Sequence, residues 1–200
     1  VPVGTWSARF AEGARVTVFT EQGAYRGTIL PLKASGHVFN DEIDEQPVSW
    51  RNLELRIDLP VRNESDLARF GFAIGDLVAI DPQPEFMDND YIVSRHLDDK
   101  AGVAILFATI EALLREKVEL PVDLFFIFSI AEEVGIGGAS VLTDDIASLV
   151  TIDNGTSAPG QASAEFGVTI GMADAAGPFD FHLTRKLVQL CEDNDIRYQK

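Results

Sequence analysis

Five acidic residues fall where a chain places reactive groups. Asp98 and Asp99 follow the run "YIVSRHL", Glu132 and Glu133 follow "LFFIFSIA", and Asp153 follows "SLVTI". Each run reads as a strand, and in open α/β sheets ligands bind beyond the carboxyl ends of the strands. Carboxylates gathered in one region repel one another unless a cation or a proton lies between them. One chemistry for such a set is a pair of divalent ions ~3.5–4 Å apart, clamped by a bridging carboxylate, in a hydrolytic site. Neighbouring side chains on an extended chain point in opposite directions. Of Glu132 and Glu133, one can then ligate metal while the other meets the attacking water as a general base. Burying both acids after an apolar strand is otherwise costly.

Other uses compete for the same residues. "GIGGAS" supplies Gly135, Gly137 and Ser140 after a strand and before a helix, with Asp153 near the end of the next strand, which approximates a dinucleotide fingerprint. Two glutamates beside the turn would repel a pyrophosphate, and the third glycine is missing. Glu132 and Asp98 also fit the acid and nucleophile of a glycosidase, a reading that leaves the other acids unexplained. The acids can equally cap helices at strand-to-helix turns. Of the histidines, His37 reads as a surface or packing residue and His182 as a surface residue of the last helix. "His96-Leu97-Asp98" puts His96 on the same side of an extended strand as Asp98, as a ligand, an outer-sphere group or a solvent-facing residue.

The elements that must position these groups divide into two kinds. Residues 5–88 read as β-rich. "ARVTVFT" and "AYRGTILPL" flank a turn at "EQG", "NLELRIDL" alternates as a half-buried strand, "SDLARFG" is a short helix, and "DLVAI" is another strand. The proline- and acid-rich "DPQPEFMDND" marks a boundary. Residues 89–200 read as α/β, with 1–4 as the end of a strand of that same domain. "DDKAGVAILFATIEALLREK" is a helix, apolar around much of its circumference and so expected to be buried. "VDLFFIFSI" is a continuous apolar strand of the kind covered on both faces. A helix or helix pair over "GASVLTDDIASL", strands at "LVTID" and "FGVTIGM", and a helix over "PFDFHLTRKLVQLCEDN" follow. The alternation predicts a mostly parallel sheet sandwiched by helices.

Bulk composition narrows the classes. The 200 residues suit one large or two small domains, and 46% hydrophobic with 24% charged residues is ordinary for a globular protein. Thirty-two acidic against 16 basic residues leave a net charge of -16. Such a surface argues against nucleic-acid and anionic-membrane partners. Cys191 stands alone in a helical pattern, as a small core residue, and points to a reducing, cytoplasmic setting. No apolar stretch approaches the about 20 residues of a membrane span, and no signal peptide is visible. The start at Val1 and the stop at "DIRYQK" suggest a piece of a longer protein.

"SRHLDDKAGVAIL", "SIAEEVGIGGA" and "TIDNGT" resemble three interior motifs of the glutamyl-aminopeptidase-type dinuclear metallopeptidases, a family that includes the tetrahedral dodecameric aminopeptidases. "TIDNGTSAPGQ" with "GPFDFHLTRKL" further resembles the bacterial subgroup associated with the osmoprotectant N-acetylglutaminylglutamine amide. The resemblance implies a metallo-exopeptidase α/β domain carrying an inserted small β-barrel, PDZ-like domain, here residues 5–88, which serves homo-oligomer assembly. It implies that Asp98 bridges two divalent ions, zinc by default and cobalt or manganese otherwise. Asp99 follows it across a cis peptide link, Glu132 is the general base, and Glu133 and Asp153 each bind one ion. The implied activity is removal of N-terminal residues from peptides. The family's two metal-binding histidines have no counterpart in this sequence, so the 200 residues by themselves are expected to bind metal weakly and to be inactive. A non-catalytic binding or assembly module is the alternative.

Overall fold

The computed structural model describes residues 2–200. They form two compact units: residues up to His96 with Ile127–Thr143, and Leu97–Phe126 with Asp144–Lys200.

The first unit is built on a hairpin. Helix α1 (Ala8–Ala11), capped by the Ser7 hydroxyl, leads into β1 (Arg15–Thr20) and β2 (Gly23–Pro31). The β1–β2 register, Thr20 opposite Gly23, leaves Glu21 and Gln22 as a two-residue turn. Short helices α2 (Gly36–Phe39) and α3 (Glu42–Glu45) precede β3 (Leu53–Ile57). Helix α4 (Glu64–Arg69), capped by Asn63, precedes β4 (Leu77–Ile80). The strands make one antiparallel sheet in the order β3-β2-β1-β4. Val16 and Val18 alternate inward on β1 and are buried with Ala11 and Ile29, and Trp6, Trp50, Leu53, Ile57, Phe72 and Ile80 pack around them. The expected hairpin, third strand and short helix are all present. A closed barrel is not formed among the described residues, because β3 and β4 stay as the two edges of the sheet. A small pair, β5 (Glu85–Phe86) with β6 (Ile92–Val93), follows within the proline-rich boundary segment.

The second unit opens on α5 (Leu97–Glu116) and continues through β7 (Val168–Thr169), β8 (Ala173–Asp174), β9 (Gly177–Pro178), α6 (Phe181–Asp193) and β10 (Tyr198–Gln199). Thr184, Val188 and Cys191 recur along one stripe of α6 and are buried, with Ile170, Leu187 and Tyr198 beside them. Cys191 is thus a core residue, as its place in the helical pattern predicts. Strands β7 and β10 pair in parallel.

The mostly parallel sheet is a correction. Among the described residues β7–β10 is the one parallel pair, and residues 122–130 and 149–153 belong to no strand. A strand exists only where another chain segment accepts its backbone bonds. The apolar composition of "VDLFFIFSI" signals burial but does not supply that partner. Much of the run is accordingly exposed: Phe125 is 68% and Ile130 101% exposed, while Phe126 and Ile127 are half-buried. Helix α5 departs in the same way. Acids stand in its first turn and Arg115 in its last, which suits the helix dipole, yet Gly102 is its one buried residue.

Candidate functional site

Asp98 and Asp99 lie within the first turn of α5 but do not take helical angles. Asp98 is extended (φ −82°, ψ 112°), Asp99 has φ −113° and ψ 52°, and the peptide bond between them is cis, as the motif resemblance implies. The regular helix therefore begins after Asp99. The Asp99 carboxylate accepts a hydrogen bond from the Gly102 backbone N–H at 2.8 Å, which satisfies one of the donors left open at a helix start. Asp98 is exposed and Asp99 half-buried.

Before this turn, Ser94 Oγ and the Arg95 N–H both donate to the Pro82 carbonyl, at 3.0 and 2.9 Å. Arg95 Nη1 donates to the Phe10 carbonyl at 3.0 Å. His96 has φ 61°, so the extended geometry that would align it with Asp98 is absent, and its ring lies 5.7 Å from that of Trp6. His182 stands exposed on α6 with its ring edge-on to Phe181. His37 lies on α2 and is exposed.

Glu132 and Glu133 open a single 3-10 turn, Glu132–Val134. The Val134 and Ile136 N–H groups donate to the Ala131 carbonyl, and the Gly135 N–H donates to that of Glu132. An antiparallel bridge between Ala131 and Ile136 closes the loop. Gly135 takes the left-handed conformation that ends the turn (φ 84°, ψ 16°), which glycine adopts without Cβ strain. Both glutamates are exposed. The predicted burial of this pair is corrected accordingly: no apolar sheet encloses 122–130, so water hydrates the two carboxylates. The helix expected from Gly138 is only a 3-10 turn, Gly138–Val141. The dinucleotide reading thus lacks the long helix whose N-terminus would hold a pyrophosphate.

Asp153 is exposed in an extended segment, its carboxylate accepting from the Asn154 N–H at 2.7 Å. Glu132 and Glu133 belong to the first unit, and Asp98 and Asp153 to the second. Among the described residues, no group of three or more His, Cys, Asp and Glu side chains is gathered so that it could hold a metal ion. Of the three runs that end at these acids, those before Glu132 and Asp153 form no strand among the described residues. Carboxylates that are not neutralised repel one another, and their hard oxygens are donors that divalent ions accept.

Two guanidinium–carboxylate pairs lie on the first unit's sheet. Arg15 pairs with Asp58 and also donates to Thr28 Oγ1. Arg26 pairs with Asp81, with Thr17 beside it. Hydrogen bonds from the two guanidinium groups hold both carboxyls below the usual carboxylate range. No acid–base spacing in the sequence singled these out, because each pair joins positions far apart in the chain.

The M42 glutamyl aminopeptidase family profile matches residues 1–200. The chain is 37% identical over 198 residues to the putative aminopeptidase YhfE of Bacillus subtilis (strain 168), covering 98% of this chain and 57% of that protein. It is 30% identical over 148 residues to the glutamyl aminopeptidase of Lactococcus lactis subsp. cremoris (strain MG1363), covering 72% of this chain and 39% of the relative. In structure it is similar to the TET aminopeptidase of the marine sediment archaeon Thaumarchaeota archaeon SCGC AB-539-E09, with a TM-score of 0.78 at 21% identity over 98% of this chain and 56% of the other. That likeness establishes the α/β fold of those aminopeptidases. The chain thus spans about half the length of the relatives it matches, 57% for YhfE. With the motifs, the fold and a profile match along its whole length in agreement, the chain belongs to the M42 glutamyl aminopeptidase family.

Proposed function

We propose that this chain is the motif-bearing part of a metal-dependent aminopeptidase that removes N-terminal residues from peptides in the cytoplasm. The observation that carries the reading is the family match over all 200 residues, within which "LDD", "AEEVGIGG" and "TIDNG" occur in order. In the whole protein, Asp98, Glu133 and Asp153 would hold two divalent ions, zinc or else cobalt or manganese. Hard oxygen donors suit such ions and discriminate poorly among them. Glu132 accepts the proton of the attacking water and passes it to the leaving amine.

Residues 5–88 serve as an inserted, PDZ-like assembly element, and residues 1–4 and 89–200 belong to the catalytic domain. A structurally similar relative is described as a dodecamer, and another as a tetrahedron or a large octahedral shell. A homo-oligomer is proposed here by analogy, and the open edges at β3 and β4 support it. The 200-residue chain by itself is proposed to be inactive, since the motif match leaves it with carboxylates and no imidazole ligands.

The test is Glu132→Gln in the full-length protein, assayed on aminoacyl p-nitroanilides with metal content measured in parallel. Turnover is expected to drop by about 100-fold or more, the scale of a lost general base, at unchanged metal content. A near-normal rate at full metal content rejects the role of Glu132.

A further inference from the structure

The start of α5 contains a contact that the proposed chemistry does not use. Asp99 Oδ1 takes the Gly102 N–H at 2.8 Å, and the carboxylate then lies over the bare α-carbon of Gly102. A Cβ built on Gly102 would stand 2.3 Å from Asp99 Oδ2 and 2.6 Å from Oδ1, closer than Cβ atoms approach other heavy atoms, so the carboxylate would have to move. Gly102 is also the one buried residue of the helix. Glycine is a poor helix former, and its φ here is not in the left-handed region, so the helix backbone alone gives no reason for it. The space its missing side chain leaves is filled by the Asp99 carboxylate. One residue upstream, Asp98 departs from helical angles and stays exposed.

We propose that the Asp99 carboxylate and the side-chain-free Gly102 form a latch that sets the direction in which the chain presents Asp98, making both of them positioning residues of the site. This rests on the reading of Asp98 as a site residue. The latch works through geometry: the carboxylate is tied down to the helix start, so the preceding residue cannot join the helix and its side chain is held at the mouth of the turn. The charge of Asp99 is not what acts. An asparagine, whose amide oxygen accepts the same bond, keeps the latch, whereas alanine at 99 or any side chain at 102 opens it.

The test compares D99A, D99N, G102A and D98N in the full-length protein by steady-state kinetics, and by hydrogen exchange of the peptide spanning residues 97–104. D99A is expected to speed exchange at the helix start. It should lower kcat on the order of tenfold to a hundredfold with little change in KM, the scale of a small misplacement of a reacting group. D99N should recover most of that loss. G102A should lose kcat as D99A does, although alanine is the better helix former, and adding D99A to it should cost little more. Unchanged kcat in D99A and G102A, with D98N inactive, overturns the latch and leaves the site reading standing. D99N as damaging as D99A, with exchange still slow, also overturns it, because the charge is then what matters. Full turnover in D98N removes the site reading and the positioning role together.

Discussion

A carboxylate costs nothing unusual while water reaches it, and that governs how the acidic residues of this chain stand. Glu132 and Glu133 are adjacent and like-charged, and the 3-10 turn leaves both exposed to solvent. Other acids act on the backbone. Asp174 accepts from the Ala176 and Gly177 N–H groups in the β8–β9 turn. Asp180 caps α6, its Oδ1 taking the Leu183 N–H at 2.7 Å. The helix-cap reading of acids at element boundaries therefore holds for Asp99 and Asp180, and Asp180 is the cleaner test because no catalytic role competes. Asp180→Ala removes both the acceptor and a negative charge at the positive end of the helix dipole. It should lower stability by about 1 kcal/mol. Urea unfolding of wild type and variant measures this, and equal midpoints would show that the cap carries no weight.

Elements were legible in the sequence where their partners lie nearby in the chain. The β1–β2 hairpin needs only a two-residue turn between its strands, and alternation at Val16 and Val18 marks its inward face. Helix α6 announces itself by Asp180 at its start and by the spacing of Thr184, Val188 and Cys191, whereas α5 is apolar around much of its circumference and shows no such stripe. "VDLFFIFSI" forms no strand, because apolar content favours burial while a ladder requires a second strand that no local pattern encodes. The site shares that limit. Each acid was found at the end of its run, but their meeting depends on strand order. The Arg15–Asp58 and Arg26–Asp81 pairs were illegible for the same reason, joining the end of β3 to β1 and the end of β4 to β2. Their pH signature has a definite sign. Hydrogen bonds from Arg15 and Arg26 depress the folded-state values of Asp58 and Asp81. The unfolded chain, with ordinary carboxyls near about 3.9, binds protons first as the pH falls. Any stability from the pairs is therefore fully present above about pH 4 and is lost as pH drops through the folded values. Against D58N or D81N, wild type should show a stability advantage at pH 6 that closes below pH 4. A gap that is constant across that range would mean the pairs are not formed.

At the scale of the whole chain, two surface properties oppose each other. Exposed apolar side chains are numerous and large: Ile74 on the first unit, Leu114 on α5, and Phe125 and Ile130 in the extended segment are each more than two-thirds exposed. Apolar surface of this kind favours association, since burying it against another copy releases water at roughly 25 cal/mol per Å². Against that stands the net charge of -16, carried by every copy, which repels at a distance. The two differ in their response to salt. Charge repulsion between exposed groups is screened over a length of about 30 Å at 0.01 M and about 3 Å at 1 M ionic strength, while apolar attraction is not weakened. The 200-residue chain should therefore be least associated at low ionic strength and near neutral pH, and should gain mass steadily as sodium chloride is raised. Lowering the pH towards the sequence pI of about 4.4 should do the same at constant salt. Light scattering coupled to size exclusion measures both. Association held together by ion pairs would respond in the opposite way, dissociating as salt rises, and that outcome would refute the apolar origin of self-assembly in this chain.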